Sequence, residues 1–211
     1  AAILFILVHR FTINEKIEHQ DIKKLVLAAF FGVTLNQLMF FKGLSITTPV
    51  NAALIMTTTP ILVLVLSAII LGEKITWVKV LGILLGAIGA IMLIGGTNFS
   101  FQSDTIWGDL CILVNALSYG TYLILAKPLM KKYQALTIVR WTFTFGFIMI
   151  VPFGLQEFIS IPVDNITSDV LLAMAFIILF TTFLAYLLNA WALKIVNPSV
   201  VGFYIYIQPV L

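Results

Sequence analysis

Residues 45–62 read SITTPVNAALIMTTTPIL, with prolines at 49 and 60 inside an apolar run. Residues 194–211 read KIVNPSVVGFYIYIQPVL, with prolines at 198 and 209. The spacing is eleven in both, and the second pair follows the first by 149 residues. Proline is favoured at the first position of a helix, so Pro49 and Pro198 alone would mark only two helix starts. A proline eleven residues further on is different: it removes a backbone hydrogen bond and bends the helix. The carbonyls it leaves must be met by a cavity, a water or a neighbouring helix. Two such segments in one register, in a chain with only seven prolines, point to an internal repeat.

The composition says what medium the repeat occupies. The 211 residues are 61% hydrophobic and 10% charged, whereas a soluble domain carries roughly 25% charged residues. Mean hydropathy is +1.11, and the apolar residues come in runs of about twenty, the length that crosses ~30 Å of hydrocarbon. The expected class is all-α, a polytopic membrane helix bundle surrounded by the lipid bilayer. A net charge of +3 could suggest nucleic acid, but the basic residues sit in short gaps between apolar runs, which is the topogenic pattern. No nucleic-acid partner is expected. The lone Cys111, inside an apolar run, has no intrachain partner and reads as a small core residue.

Eight apolar segments can be drawn: 1–8, 23–44, 49–71, 76–96, 106–127, 136–156, 169–192 and 199–211. The first and last are too short to span. The chain starts at Ala1 and stops inside an apolar run, so it reads as a fragment cut within a membrane helix at each end. Eleven of the twelve Lys and Arg fall in alternate loops, and only Lys42 lies on the other side. That asymmetry places loops 9–22, 72–75, 127–135 and 193–198 in the cytoplasm, with a bacterial inner membrane as the expected setting. His9 and His19 fall in the first of these loops, and Glu73 with Lys74 in the second, facing water. The outer loops 97–105 and 157–168 each contain a sequon (Asn98 and Asn165) at chance frequency.

Sliding the sequence by 149 also matches Phe31 with Phe180, Leu35 with Leu184, and Leu38 with Leu187. Pro49 follows a segment ending at the outer face, whereas Pro198 follows one ending at the cytoplasmic face. The copies therefore enter the membrane from opposite sides. Inverted repeats of this kind are common in secondary transporters, with the substrate site near the midplane.

The stretch 36–93 carries Thr48-Pro49 with Ala52 and Ala53, then Thr59-Pro60, the turn Leu71-Gly72-Glu73-Lys74-Ile75-Thr76, and a helix with Gly82, Gly86 and Gly89. This combination resembles the EamA domain of the drug/metabolite transporter (DMT) superfamily. Residues 107–133 (WGDLCILVNALSYGTYLILAKPLMKKY) resemble the first helix of a second copy. The resemblance implies two inverted five-helix units, ten helices in all, with about six whole and two partial ones in this chain. On that pattern residues 1–96 are the C-terminal part of the first repeat, 97–105 an outer linker, and 106–211 the N-terminal part of a truncated second repeat.

No Asp, Glu, Lys, Arg or His falls at mid-span, where a charge is costly and therefore suspected of function. Asp109 and Asp169, near helix starts, fit the helix dipole. What remains is uncharged: Asn115, Tyr119 and Tyr122 on one helix face, Thr182, Tyr186 and Asn189 on another, Tyr204 with Gln208, and Asn36, Gln37, Asn51 and Thr58 elsewhere. The substrate-cavity candidates are Asn36, Gln37, Asn51, Asn115, Tyr119, Tyr122, Asn189 and Tyr204, with Pro60 and Pro209 as kinks. Each is equally a candidate for an ordinary interhelical hydrogen bond. Trp77 and Trp141 read as interfacial belt anchors, and the Gly82, Gly86, Gly89 stripe as a helix-packing face.

The reading is a secondary transporter with no catalytic residue, metal or cofactor, working by alternating access on a small-molecule substrate. Family resemblance suggests amino acids or related metabolites, moved outward. A multidrug or cationic-compound exporter and a non-transport membrane scaffold are the alternatives, and both monomer and homodimer stay open. An intramembrane enzyme would need clustered His, Asp, Glu or Cys at membrane depth, and no nucleotide-binding motif is present.

Overall fold

The computed structural model describes residues 1–94, 105–160 and 167–206. The described chain is helical throughout. We number the helices α1 (Ala2–Thr12), α2 (His19–Leu44), α3 (Pro49–Leu71), α4 (Trp77–Ile94), α5 (Ile106–Lys132), α6 (Ala135–Ser160), α7 (Ser168–Ile195) and α8 (Pro198–Phe203). Five of them (α2, α3, α5, α6 and α7) are long and apolar enough to cross a membrane. α4, at 18 residues, would reach about 27 Å at the usual rise.

Several helices run further than the hydrophobic segments did. α1 continues to Thr12, α5 to Lys132 and α7 to Ile195, and α2 begins at His19. The connections at this end are correspondingly short, and the cytoplasmic loops expected at 9–22, 127–135 and 193–198 shrink to a few residues. Hydropathy ends a segment at the first charge, but Lys and Arg lay their apolar stems along a helix and still reach water.

α5 is the central helix. It packs against α2, both halves of α3, the C-terminal half of α7, and α8. α6 packs on α1 and α2, and α7 closes against α6. Small residues set the closest approaches. A Cβ built on Gly108 would lie 2.6 Å from the Thr47 backbone nitrogen and 2.9 Å from the Gly43 carbonyl, so α5 meets the end of α2 backbone to backbone. On α4, a Cβ on Gly86 would strike the Tyr206 ring at 2.4 Å, whereas Gly89 has nothing within 4 Å. The glycine stripe therefore packs at only part of its length.

α3 is broken, as Pro60 requires. Its first half ends at Met56 and the second starts at Thr59, with Pro60 in the first turn and Thr57 and Thr58 between. The hydroxyls of Thr57 and Thr58 turn back onto the carbonyls of Leu54 (2.6 Å) and Ile55 (2.7 Å). They add a second donor to carbonyls that also accept the backbone N–H groups of Thr57 and Thr58, while Pro60 removes the donor that would have met the Met56 carbonyl. α8 ends in the same way, with residues 204–206 tightening into a 3₁₀ turn. Pro209 and Gln208 lie outside the described residues, as do Asn98 and Asn165.

The 149-residue register reaches beyond the prolines. The N-caps Thr48 and Asn197 share one backbone conformation (ψ 151° and 154°). α2 and α7 each contain a π-helical segment, Phe30–Leu35 and Ile177–Leu184, and the two end at register-matched residues. A π segment leaves carbonyls poorly matched to the α ladder. Here hydroxyls approach them: Ser118 donates to the Phe31 carbonyl at 2.7 Å, and Thr181 to that of Ile177 at 2.8 Å.

Candidate functional site

A cavity of about 760 Å³ lies between α2, α3, α5, α6, α7 and α8. Its wall takes residues 33–41 of α2, 56–59 of α3, 115–122 of α5, 143–150 of α6, 177–189 of α7 and 201–205 after the start of α8. Measured along each helix, these positions run from mid-depth toward the end of the bundle with few basic residues. The other half is solid. Phe5, Leu25, Leu123, Ala126, Leu129, Ile138, Val139, Ala190 and Leu193 form a buried cluster below the cavity.

Seven of the eight cavity candidates lie on this wall: Asn36, Gln37, Asn115, Tyr119, Tyr122, Asn189 and Tyr204. Asn51 does not. It is 1% exposed in the first turn of α3, and its backbone N–H donates to the Thr48 side chain. Five residues, about 7.5 Å of helix, separate it from Met56, where α3 first reaches the cavity. Thr58 is likewise displaced by its neighbour: its hydroxyl turns back to Ile55, while Thr59 faces the wall. Pro60 is buried beside it.

The polar wall is organised in pairs. Asn36 donates its side-chain amide to the Asn115 carbonyl at 3.3 Å, and Asn115 donates to the Asn36 carbonyl at 2.8 Å. Gln37 lies beside the Tyr186 hydroxyl, linking α2 to α7. Aromatic rings complete the wall. Phe143 meets Tyr186 edge-on with centroids 4.8 Å apart, and Tyr119 lies 6.2 Å from Tyr122. The close packing of Tyr122 depends on Gly32, whose Cβ would fall 2.4 Å from the ring. Thr181, Phe40, Phe143 and Phe147 also face the cavity and were missed in the sequence. Phe143, Phe147 and Ile150 do share one helix face, but an apolar stripe in an apolar helix gives no contrast.

The charged residues gather at the closed end. Lys132 pairs with Glu18 and Asp21, both at 2.7 Å, and Tyr133 donates to Asp21 at 2.8 Å. Hydrogen bonds from Lys132 and Gln20 hold the Glu18 carboxyl below the usual range. Lys127, expected in a loop, is 6% exposed within α5 and donates to the Leu193 (2.7 Å) and Val196 (2.5 Å) carbonyls at the end of α7. His9 is not in a loop either. It is buried in α1, bonded to Thr137 at 3.0 Å, with Arg140 at 3.4 Å. Trp141 turns inward, stacked on Phe145 and under the Arg140 guanidinium, while Trp77 is 80% exposed.

Glu73 departs most from the sequence reading. Gly72 ends α3 with φ 65°, in the left-handed region where glycine costs nothing. That turn folds the Glu73 side chain inward to 6% exposure rather than into water. Its Oε1 accepts from both Lys79 and Ser199. Burial pushes its carboxyl up, but the bonds from Lys79 and Ser199 outweigh it, and the net shift is downward. Among the described residues no three His, Cys, Asp or Glu side chains converge as metal ligands would.

The profile of the EamA-like transporter family matches residues 1–95 and 106–211. The chain belongs to this family. Both halves of the chain match it separately, with residues 96–105 between the two matches. An uncharacterized transporter of Archaeoglobus fulgidus is 28% identical over 182 residues, 86% of this chain and 62% of its own length. The uncharacterized transporter YyaM of Bacillus subtilis is 28% identical across 100% of this chain and 70% of its own length. A protein of Streptantibioticus cattleyicolor named a probable terminal-alkyne amino-acid exporter is 23% identical over 74% of this chain and 52% of its own length. A solved crystal structure superposes with a TM-score of 0.80 at 18% identity, over 99% of this chain and 72% of that one. The EamA chain thus spans about three-fifths to seven-tenths of the first two relatives.

Proposed function

We propose that this EamA chain forms most of a secondary transporter that exports amino acids or related small metabolites by alternating access. The observation that carries this is the cavity: polar and aromatic side chains from both copies converge at mid-depth, and one end of the space is sealed. The amides of Gln37 and Asn189 suit the carboxylate and ammonium of a zwitterion, and the surrounding rings suit an apolar side chain. A relative named as an amino-acid exporter supports the substrate class. Placing the basic loops in the cytoplasm by the positive-inside rule supports reading this conformation as the outward-open one. The test is counterflow of labelled amino acids in liposomes holding the complete protein. Uptake that Asn189→Ala weakens supports the reading, and a panel of metabolites ignored by well-folded protein sinks it.

A further inference from the structure

From the contacts of Glu73 we infer that the Glu73–Ser199 pair is a latch that keeps the basic end of the bundle shut. The inference rests on the alternating-access reading, because a latch matters only if that end opens. The carboxylate belongs to the turn between α3 and α4, and the hydroxyl to the first turn of α8. They lie 126 residues apart, one in each family match. Both are enclosed, Glu73 with 6% of its side chain exposed and Ser199 with 4%. Besides Ser199, the enclosed Glu73 carboxylate has Lys79 and the Ser67 hydroxyl against it, so releasing Ser199 would leave a buried charge with fewer donors unless water entered.

α8 is the element such a latch would control. It has six residues, starts at Pro198, and ends at mid-depth in the 3₁₀ turn whose Tyr204 and Ile205 face the cavity. α8 packs on the second half of α3 with Ser199 buried in its first turn, so its movement away from α3 requires the Glu73 contact to break. Lys127 pins the connection just before it through the Leu193 and Val196 carbonyls, and shares a cleft of about 230 Å³ with Glu73, Asn197 and Pro198. The buried pair at the opposite end, Thr47 and Asp109, differs in kind. It joins the turn between α2 and α3 to the first turn of α5, and α2 and α5 also pack along their lengths and line one wall of the cavity, so breaking it opens nothing.

The test needs no substrate. A single cysteine at Ala190, buried in the seal, is introduced into the complete protein with Cys111→Ser, and an impermeant maleimide is added from the basic face. Ser199→Ala and Glu73→Ala should each speed labelling about tenfold, the population shift expected from one charge-assisted bond. The double variant should match Glu73→Ala alone. Joining Glu73→Cys to Ser199→Cys as a disulfide, which leaves the Ala190→Cys thiol available to the maleimide, should abolish labelling at Ala190→Cys. Wild-type labelling in folded Ser199→Ala protein, additive effects in the double variant, or labelling that survives the cross-link overturns the latch. Altered labelling in protein that moves no amino acid would retain the latch and reject the substrate reading instead.

Discussion

Asn36 and Asn115 hold each other by reciprocal bonds, each side-chain amide on the other's backbone carbonyl, at 3.3 and 2.8 Å. The donors that tie α2 to α5 are therefore already engaged. Both residues also face the cavity, and structural and recognition roles can be separated by comparing them with Asn189. Asn189 lies on the same wall as an exposed side chain. Asn115→Ala should lower stability by about 0.6 kcal/mol, the average for one interhelical bond, because the Asn36 amide keeps its acceptor in the residue-115 backbone carbonyl, and should lower exchange with it. Asn189→Ala should leave the unfolding temperature within experimental error and raise the substrate concentration needed for half-maximal counterflow. Thermal unfolding in detergent and counterflow titration together check both halves. Equal stability losses in the two variants would remove the distinction.

Two glycines of the same chain should respond oppositely to alanine. At Gly108 the new methyl meets the Thr47 nitrogen and the Gly43 carbonyl, which are backbone and cannot rotate away. Overpacking of this kind costs about 1–3 kcal/mol. At Gly89 nothing lies within 4 Å, so the helix gains the ~0.5–1 kcal/mol by which alanine exceeds glycine. Unfolding curves of Gly108→Ala and Gly89→Ala should shift to opposite sides of wild type.

These contrasts show what a sequence can and cannot disclose about such a bundle. Asn36, Gln37 and Asn115 were legible because a polar group at mid-span stands out against hydrocarbon, and Tyr119 with Tyr122 because helical spacing put them on the same face. Asn51 was misplaced because polarity shows that a residue needs a partner, not which partner it has. Phe143 and Phe147 carried no signal, since an aromatic residue in an apolar helix looks the same facing lipid, core or cavity. The α3 break was legible through Pro60. The π segments were not, because Phe30–Leu35 and Ile177–Leu184 contain no residue that demands one. Lys127 and Glu73 were read as watery loop residues because their charge was counted and the reach of their stems was not.

Lys127 offers a direct check on that last point. Its ammonium meets two carbonyls left over at the end of α7, and charge-assisted bonds of this type contribute ~1.5–3 kcal/mol. Lys127→Met keeps the stem and removes the donor, so it should destabilise by about 2 kcal/mol. Lys127→Arg should rescue only in part, because a planar fork does not fit a site built for a compact point charge. Lys131→Met, one turn away and exposed, should change unfolding by less than about 0.5 kcal/mol. If the Lys127 and Lys131 variants unfold alike, the lysine is not a cap.

Glu73 predicts a pH dependence whose sign follows from its surroundings. The groups facing its carboxylate are Lys79, Ser199 and the Ser67 hydroxyl of α3, with Lys127 and Lys131 around the same cleft. The net shift is downward from the ordinary carboxylate value, near 4.3 in an unfolded chain. The stabilisation is therefore complete above that value and is lost as pH falls through the lowered one in the folded protein. Wild type should unfold at a higher temperature than Glu73→Gln at neutral pH, and the difference should shrink as the pH falls below about 4. The Glu18–Lys132 pair titrates in the same range, but it is common to both proteins and cancels in the comparison. Lys79→Met should lower stability at neutral pH and narrow the acid-dependent gap, since it removes the bond that offsets burial. A gap between wild type and Glu73→Gln that stays constant from neutral pH down to about 3 would mean that the buried carboxylate gains nothing from its charge.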